Sequence, residues 1–261
     1  MEVLKKHEGK RLTFTAPSGR KFTIREQNGD DDDILSAINP KNQEENLDNI
    51  NLFISAIVTH DFLNNKNYLP LNGAQALILK DKYYILLKSR IHSNGPELVY
   101  EVDCRNKGCG FKMEATENLI EYDADFSKPY EANGFKFQIT PHSAGNDEYR
   151  ELTLSSDKKI RYKYMTGLAE QKVLEITKNE TRIGRNLELI ARSIEVQVGT
   201  LWQPLSTFNI FSSPEMGEIR KDITEHDKQW NMVSEIKCPQ CNTVDHLPLT
   251  ALSSFFYPSE I

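Results

Sequence analysis

Cysteine is scarce in this chain: four residues among 261, standing in two close pairs. A disulfide framework belongs mostly to short secreted chains, so a reducing compartment and a metal are the better expectation. Long apolar runs are also missing. No window approaches the roughly 18 consecutive apolar residues that span a bilayer, and MEVLKKHEGKRLTF holds no apolar stretch of the secretory kind. A soluble, intracellular protein is expected. There is no excess of positive charge either. The 32 Lys and Arg face 38 Asp and Glu, a formal balance of −6 that argues against a broad nucleic-acid footprint. Catalytic signatures are absent: no Gly-rich phosphate loop, no nucleophile elbow, no H-E-x-x-H, and six scattered histidines. No enzyme is expected.

What is present is a globular composition, 38 % apolar and 27 % charged, in a chain long enough for two cores. The chain also repeats itself. RLTFTAPSGRKFTIREQNGDDDDILS at 11–36 and ELTLSSDKKIRYKYMTGLAEQKVLEI at 151–176 share an order of features. Each has an apolar strand, a polar turn, a basic alternating strand, a Gly (Gly29, Gly167) and a helix. Aligning the two glycines superposes Lys21 on Lys159, Phe22 on Ile160, Ile24 on Tyr162 and Leu35 on Val173. Alternation around Pro17-Ser18-Gly19 predicts a hairpin, and Ser155-Ser156-Asp157 makes the corresponding turn. Leu47, Ile50, Ile54 and Ile57 fall on one helical face, as do Ile183, Leu187, Ile190 and Ile194. A second helix is expected within 76–91, where YYILL also reads as a strand. Another begins at Ser213-Pro214-Glu215, with Met216, Ile219 and Ile223 buried. Each half ends in a strand, a cysteine turn and a second strand.

The expected fold is therefore α+β, two diverged copies of a unit made of a β-hairpin, two helices and a zinc-knuckle β-element. The first unit covers 1–121 and the second 151–261. Acidic, turn-rich sequence at 122–150 reads as a linker, with FKFQIT at 135–140 as an extra strand.

Cys238-Pro-Gln-Cys241 has the spacing of a zinc knuckle, and Cys104-x4-Cys109 is a looser one. Each supplies two thiolates and zinc takes four, so a closed structural site requires Cys104, Cys109, Cys238 and Cys241 together. The alternatives are unmetallated knuckles, or two local sites completed by histidine, with His246 the candidate for the second. Four thiolates leave no open position for catalysis.

Other motifs admit plainer readings. Asp30-Asp31-Asp32-Asp33 suits a helix start, where carboxylates cap free N–H groups, better than an acidic patch for a basic partner, and that better than a cation site. His60 and His92 fall at expected helix ends. Lys88 and Arg90 follow an apolar stretch and either face a partner or, the plainer reading, form a solvated helix end. Phe255, Phe256 and Tyr257 are either interface anchors or core. A rival reading, a zinc-ribbon nucleic-acid-binding regulator, rests on the knuckles with Arg105, Lys107 and Lys112 beside them.

FTAPSGRKFTIREQNGDDDDIL resembles the opening of T-even-type bacteriophage baseplate proteins, with their Pro-Ser-Gly hairpin, basic strand and acidic helix start. LILKDKYYILLKSRIHSNG is similar to a segment of that family in which an Asp precedes an apolar run, an Arg and a Ser/Gly turn. IKCPQCNTVDHLPLTALSSFF looks like its ending, where Cys238, Cys241, Phe255 and Phe256 match. The four-residue spacing of the first knuckle and the missing Pro-Ser-Gly in the second hairpin depart from the pattern. The resemblance implies a non-enzymatic structural or assembly protein of a contractile tail, binding hub or tail-tip proteins. It implies no nucleic-acid or membrane partner, with assembly in the host cytoplasm and a place in the virion baseplate.

Overall fold

The computed structural model describes residues 9–37, 43–126, 131–132, 135–136, 149–179, 186–227, 232–249 and 255. Apolar alternation around the Pro-Ser-Gly turn produces β1 (Arg11–Thr15) and β2 (Lys21–Arg25), antiparallel with Leu12 opposite Ile24 and Phe14 opposite Phe22. Gly19 takes φ +87, a left-handed conformation that a side chain would resist. Helix α1 (Gly29–Ser36) begins as the aspartate run predicts. Asn28 accepts the Asp30 N–H, while the buried Asp31 carboxylate accepts the Asn28 N–H and binds Arg25. Helix α2 (Gln43–Ile57) buries Leu47, Ile54 and Ile57, and β3 (Val58–Asp61) then pairs with β2.

Helix α3 (Leu71–Gln75) leads to α4 (Leu79–Asn94), so the YYILL run is helical. Tyr84, Ile85, Leu86 and Leu87 are all buried, as in a helix surrounded by protein. The hairpin β4 (Glu97–Asp103) and β5 (Lys112–Asn118) comes next. The segment expected as a linker opens on a helix. EYDADF belongs to helix α5 (Leu119–Phe126), whose Ile120 N–H donates to the Asn118 side chain and whose Leu119 is fully buried. Beyond it, β6 (Glu131–Ala132) pairs with β7 (Phe135–Lys136), the start of the expected extra strand. Residues 137–148 lie outside the described residues.

The second half runs through β8 (Tyr149–Thr153), β9 (Lys159–Lys163), α6 (Gly167–Asn179), α7 (Leu187–Ala191), β10 (Glu195–Val198), β11 (Leu201–Pro204), α8 (Ser213–His226), β12 (Val233–Lys237) and β13 (Val244–Pro248). Its sheet has the order β11-β10-β9-β8, against β1-β2-β3 in the first half. The face expected from Ile183 to Ile194 is helical only at α7 among the described residues. Ser193, at φ +51, turns the chain, so the buried Ile194 leads into β10. Ile183 lies outside the described residues. Ser212 caps α8, Pro214 stands in its first turn, and Met216, Ile219 and Ile223 are buried as expected.

The result is a mixed α/β fold of small antiparallel sheets, with eight helices among the described residues. One core gathers Phe22, Ile24, Phe53, Ile57, Ile85 and Leu98 together with Met232, Leu247, Leu249 and Phe255 from the far end of the chain. A second core holds Ile160, Tyr162, Val196, Ile219 and Ile223. The halves touch where the Leu79 N–H meets the Met165 carbonyl and the Gly167 N–H meets the Leu77 carbonyl. A methyl group on Gly167 would sit 2.7 Å from the Gln75 carbonyl oxygen, so this contact requires glycine.

In both halves the first hairpin turn is held by a carboxylate in the opening turn of the long helix. Asp81 of α4 accepts from the Ser18 N–H (3.0 Å) and hydroxyl, and Glu215 of α8 accepts from the Ser156 hydroxyl. Burial pushes the Asp81 carboxyl up to about 6, against the lowering effect of Ser18, Arg20 and Lys80. With its folded value above the unfolded one, Asp81 favours the fold below about pH 4. That advantage is lost as pH rises through about 6, where the folded carboxyl ionises. Asp81→Asn keeps an acceptor for the turn and removes the titration. From pH 4 to 7, unfolding in urea should show the variant gaining about 2–3 kcal/mol relative to wild type. A constant difference across that range would refute the assignment.

Candidate metal centre

Both cysteine turns close hairpins, and both are shaped by one device. The N–H of the first cysteine bonds to the carbonyl two residues beyond the second: Cys104 to Phe111 (2.9 Å) and Cys238 to Thr243 (2.8 Å). The residue after the second cysteine is left-handed in each, Gly110 at φ +58 and Asn242 at φ +59. These residue types tolerate that conformation best, so the longer loop at Cys104 ends as the shorter one does.

The hairpins β4–β5 and β12–β13 then pack together. The Tyr100 hydroxyl donates to Ser234 Oγ (2.8 Å), the Tyr122 hydroxyl to the Val233 carbonyl (3.4 Å) and the Arg105 N–H to Asp245 (3.3 Å). The Glu117 carboxylate accepts from the Ser234 hydroxyl as well. These contacts bring all four thiols, none in a disulfide, within 4.8 Å of one another. Cys104 Sγ lies 3.5 Å from Cys241 Sγ, and Cys109 Sγ lies 3.8 Å from Cys238 Sγ. Four sulfurs bound tetrahedrally at zinc's usual 2.3 Å would be about 3.8 Å apart. The donor set therefore fits a zinc-sized thiophilic cation. Met113, Val102 and Ile236 pack around it and shield Cys104 and Cys238 from water.

The thiols are not equivalent. Hydrogen bonds from the Thr243 side chain, the Asn106 side chain and the Thr243 N–H hold Cys241 down to about 5. The Asn106 N–H draws Cys104 down, but desolvation and the hydrogen bonds with the other three thiols outweigh it, pushing Cys104 up to about 12. Metal ligands must be thiolates, so a divalent cation entering this cluster would expel protons.

The remaining candidates fall elsewhere. His246 is exposed on β13 opposite Glu235, and the cluster consists of cysteines from both hairpins. The reading of Lys88 and Arg90 as a solvated helix end is corrected. Arg90 is buried and donates to the Gly95 and Glu97 carbonyls, closing the end of α4, while Lys88 binds Asp123 of α5. His60 lies in β3, not at a helix end, and contacts Asn67; His92, in the last turn of α4, contacts the Lys10 carbonyl. Arg105, Lys107 and Lys112 are exposed, but Lys112 pairs across the ladder with Asp103, and Glu101 and Glu114 stand beside it. That alternation of sign is no basic strip. Phe255 is fully buried in the first core, so it packs on its own protein. Phe256 and Tyr257 lie outside the described residues.

The segments singled out by sequence also interlock. Asp81 grips the Pro-Ser-Gly turn, Ser93 accepts the Gln27 N–H (2.9 Å), and Ser89 accepts from the Gln27 side chain (3.2 Å). Sequence reasoning missed this network because its partners are more than 60 residues apart. The acidic residue opening a long helix was the available signal.

Four thiols converge in the described residues, and no helix among them is long and apolar enough to cross a membrane. The family model described as T4 bacteriophage base plate protein matches residues 10–257. The chain belongs to that family and is a phage baseplate structural protein. Comparison with curated proteins and with solved structures gives no match.

Proposed function

We propose that this protein acts without catalysis at or near the baseplate hub. There it binds hub or tail-tip subunits during assembly in the host cytoplasm, and its two halves are clamped by one structural zinc. The observation that carries the clamp is the convergence of Cys104, Cys109, Cys238 and Cys241, two from each half, at tetrahedral spacing. The family supplies the setting, since a baseplate protein meets other baseplate proteins.

The halves are two diverged copies of one unit, 1–121 and 151–261, joined through 122–150. Support comes from the shared order of strand, strand, helix, helix, third strand, long helix and cysteine hairpin. The burial patterns of β2 and β9 are the same, both hairpin turns are gripped by a helix carboxylate, and both knuckles turn on a left-handed residue.

The test is affinity capture of the tagged chain from cells assembling tails, with mass spectrometry of the co-purified proteins and elemental analysis of the purified chain. Stoichiometric hub or tail-tip subunits and one zinc per chain are expected. Nucleic acid alone, with no tail subunit, would remove the hub reading.

A further inference from the structure

In each half a connection joins the third strand to the long helix, holding α3 in the first and β11 in the second. Residues 62–78 make it in the first half and 199–212 in the second. Among the described residues twelve large apolar side chains stand exposed; five lie on these segments, Phe62, Tyr68, Leu71, Leu201 and Ile210, and Val198 ends the strand before the second. Tyr68 is 54 % exposed and Leu201 68 %. The composition is as unusual as the exposure. Roughly one residue in seven of the chain is Asp or Glu, yet neither connection contains one, and Lys66 is the sole charge in both. Exposed aromatic and aliphatic groups with charge depleted are what the centre of a protein interface requires, because burying an unpaired charge there would cost more than the contact returns.

Both segments are held in place. Asp61, itself bound by Arg20 through two hydrogen bonds, accepts from the Leu63 N–H and the Asn64 side chain and so fixes the start of the first connection. The second is stiffened by β11, the outermost strand of its sheet, with Gly199 at φ +62 in the tight turn before it. Such an edge invites pairing unless it is covered. Cations rim both surfaces by lying over aromatic rings. Lys21 is 4.8 Å from the Phe62 ring centre and Lys66 5.7 Å from Tyr68; Arg161, shared with Glu195, is 4.7 Å from Trp202.

We propose that the two connections are a matched pair of docking surfaces for two copies of one baseplate subunit, which presents an apolar patch rimmed by carboxylates. The matching rests on the proposed duplication: the surfaces occupy one place in two like-built units. Charge complementarity argues for the acidic rim from the first surface, where Lys21 and Lys66 lie over exposed rings and the nearby Asp61 is already bound by Arg20; at the second, Arg161 is shared with Glu195.

The test places a photo-crosslinking amino acid at Tyr68, at Leu201 and, as a control, at the exposed Lys221 of α8, in the full chain within cells assembling tails. Crosslinks from Tyr68 and Leu201 should reach the same baseplate subunit, in peptides carrying Asp or Glu, with none from Lys221. The pair Tyr68→Ala and Leu201→Ala should keep the melting temperature and lower recovery of that subunit by about tenfold or more. Crosslinks to different proteins, to another copy of this chain or to nucleic acid overturn the proposal. So does silence at both positions while the chain still co-sediments with baseplates, which leaves the hub reading intact. A chain that associates with no tail subunit at all removes both.

Discussion

Cys238→Ser is expected to release the metal and lower the melting temperature by about 10 °C. Structural zinc contributes roughly 10–16 kcal/mol of apparent binding energy in small peptides at neutral pH. If only a third of that stabilises this larger fold, the loss is about 4 kcal/mol, and in a chain of this size each kcal/mol moves the midpoint by about 2–4 °C. A hydroxyl cannot replace the thiolate, and the three remaining sulfurs leave the cation open to water. Elemental analysis should fall from one zinc per chain to a trace. A chelator that lowers the wild-type midpoint should leave the variant's unchanged. Cys104→Ser should do the same, and the double variant should be no worse than either single one. Non-additivity is the signature of a shared site, because the first substitution already destroys it. If the effects add, the cysteines serve separate local sites. Wild-type protein that carries no zinc and ignores chelators would end the metal reading altogether.

Phe255→Ala is expected to cost about 3–5 kcal/mol, the usual range for emptying a buried phenylalanine site. Its ring is fully buried in the core that contains Phe22, Phe53 and Leu98. Met232, Leu247 and Leu249 enter the same core from the last part of the chain, so the ring adds to the packing that holds this sequence on the first half. The melting temperature should drop by about 10 °C, with zinc still bound in the folded fraction. Amide exchange in β12 and β13 should speed up, since these strands lose a neighbour in their shared core. An unchanged midpoint with weaker subunit capture would return Phe255 to the surface. The effects of Phe255→Ala and Cys238→Ser should couple, because both loosen the same C-terminal hairpin.

Local signals were the legible ones. The β1–β2 hairpin derives from two-residue alternation around a turn that needs Gly19, and the start of α1 from carboxylates set against free N–H groups. Ser213-Pro214-Glu215 announces the start of α8, which Ser212 caps. Where the signal is ambiguous, burial decides it. YYILL has no face of its own in α4 because protein surrounds the helix, and a stretch apolar all round loses the period that separates helix from strand. EYDADF reads as linker because acidic, polar residues suit a loop and an exposed helix face equally. Arg90 looks solvated for a similar reason: its partners are carbonyls, which no side-chain pattern reveals.

By itself the sequence determined the two cysteine turns and most of the strands and helices around them. These depend on neighbours a few residues away, where backbone geometry leaves little choice. Only the tertiary structure decided that Cys104 and Cys109 meet Cys238 and Cys241, that Asp81 grips Ser18 and that Phe255 is core. A pair of thiolates is half a site whichever partner completes it. Which cysteines meet was decided by packing β4–β5 against β12–β13, across about 130 residues whose separation carries no signal of contact.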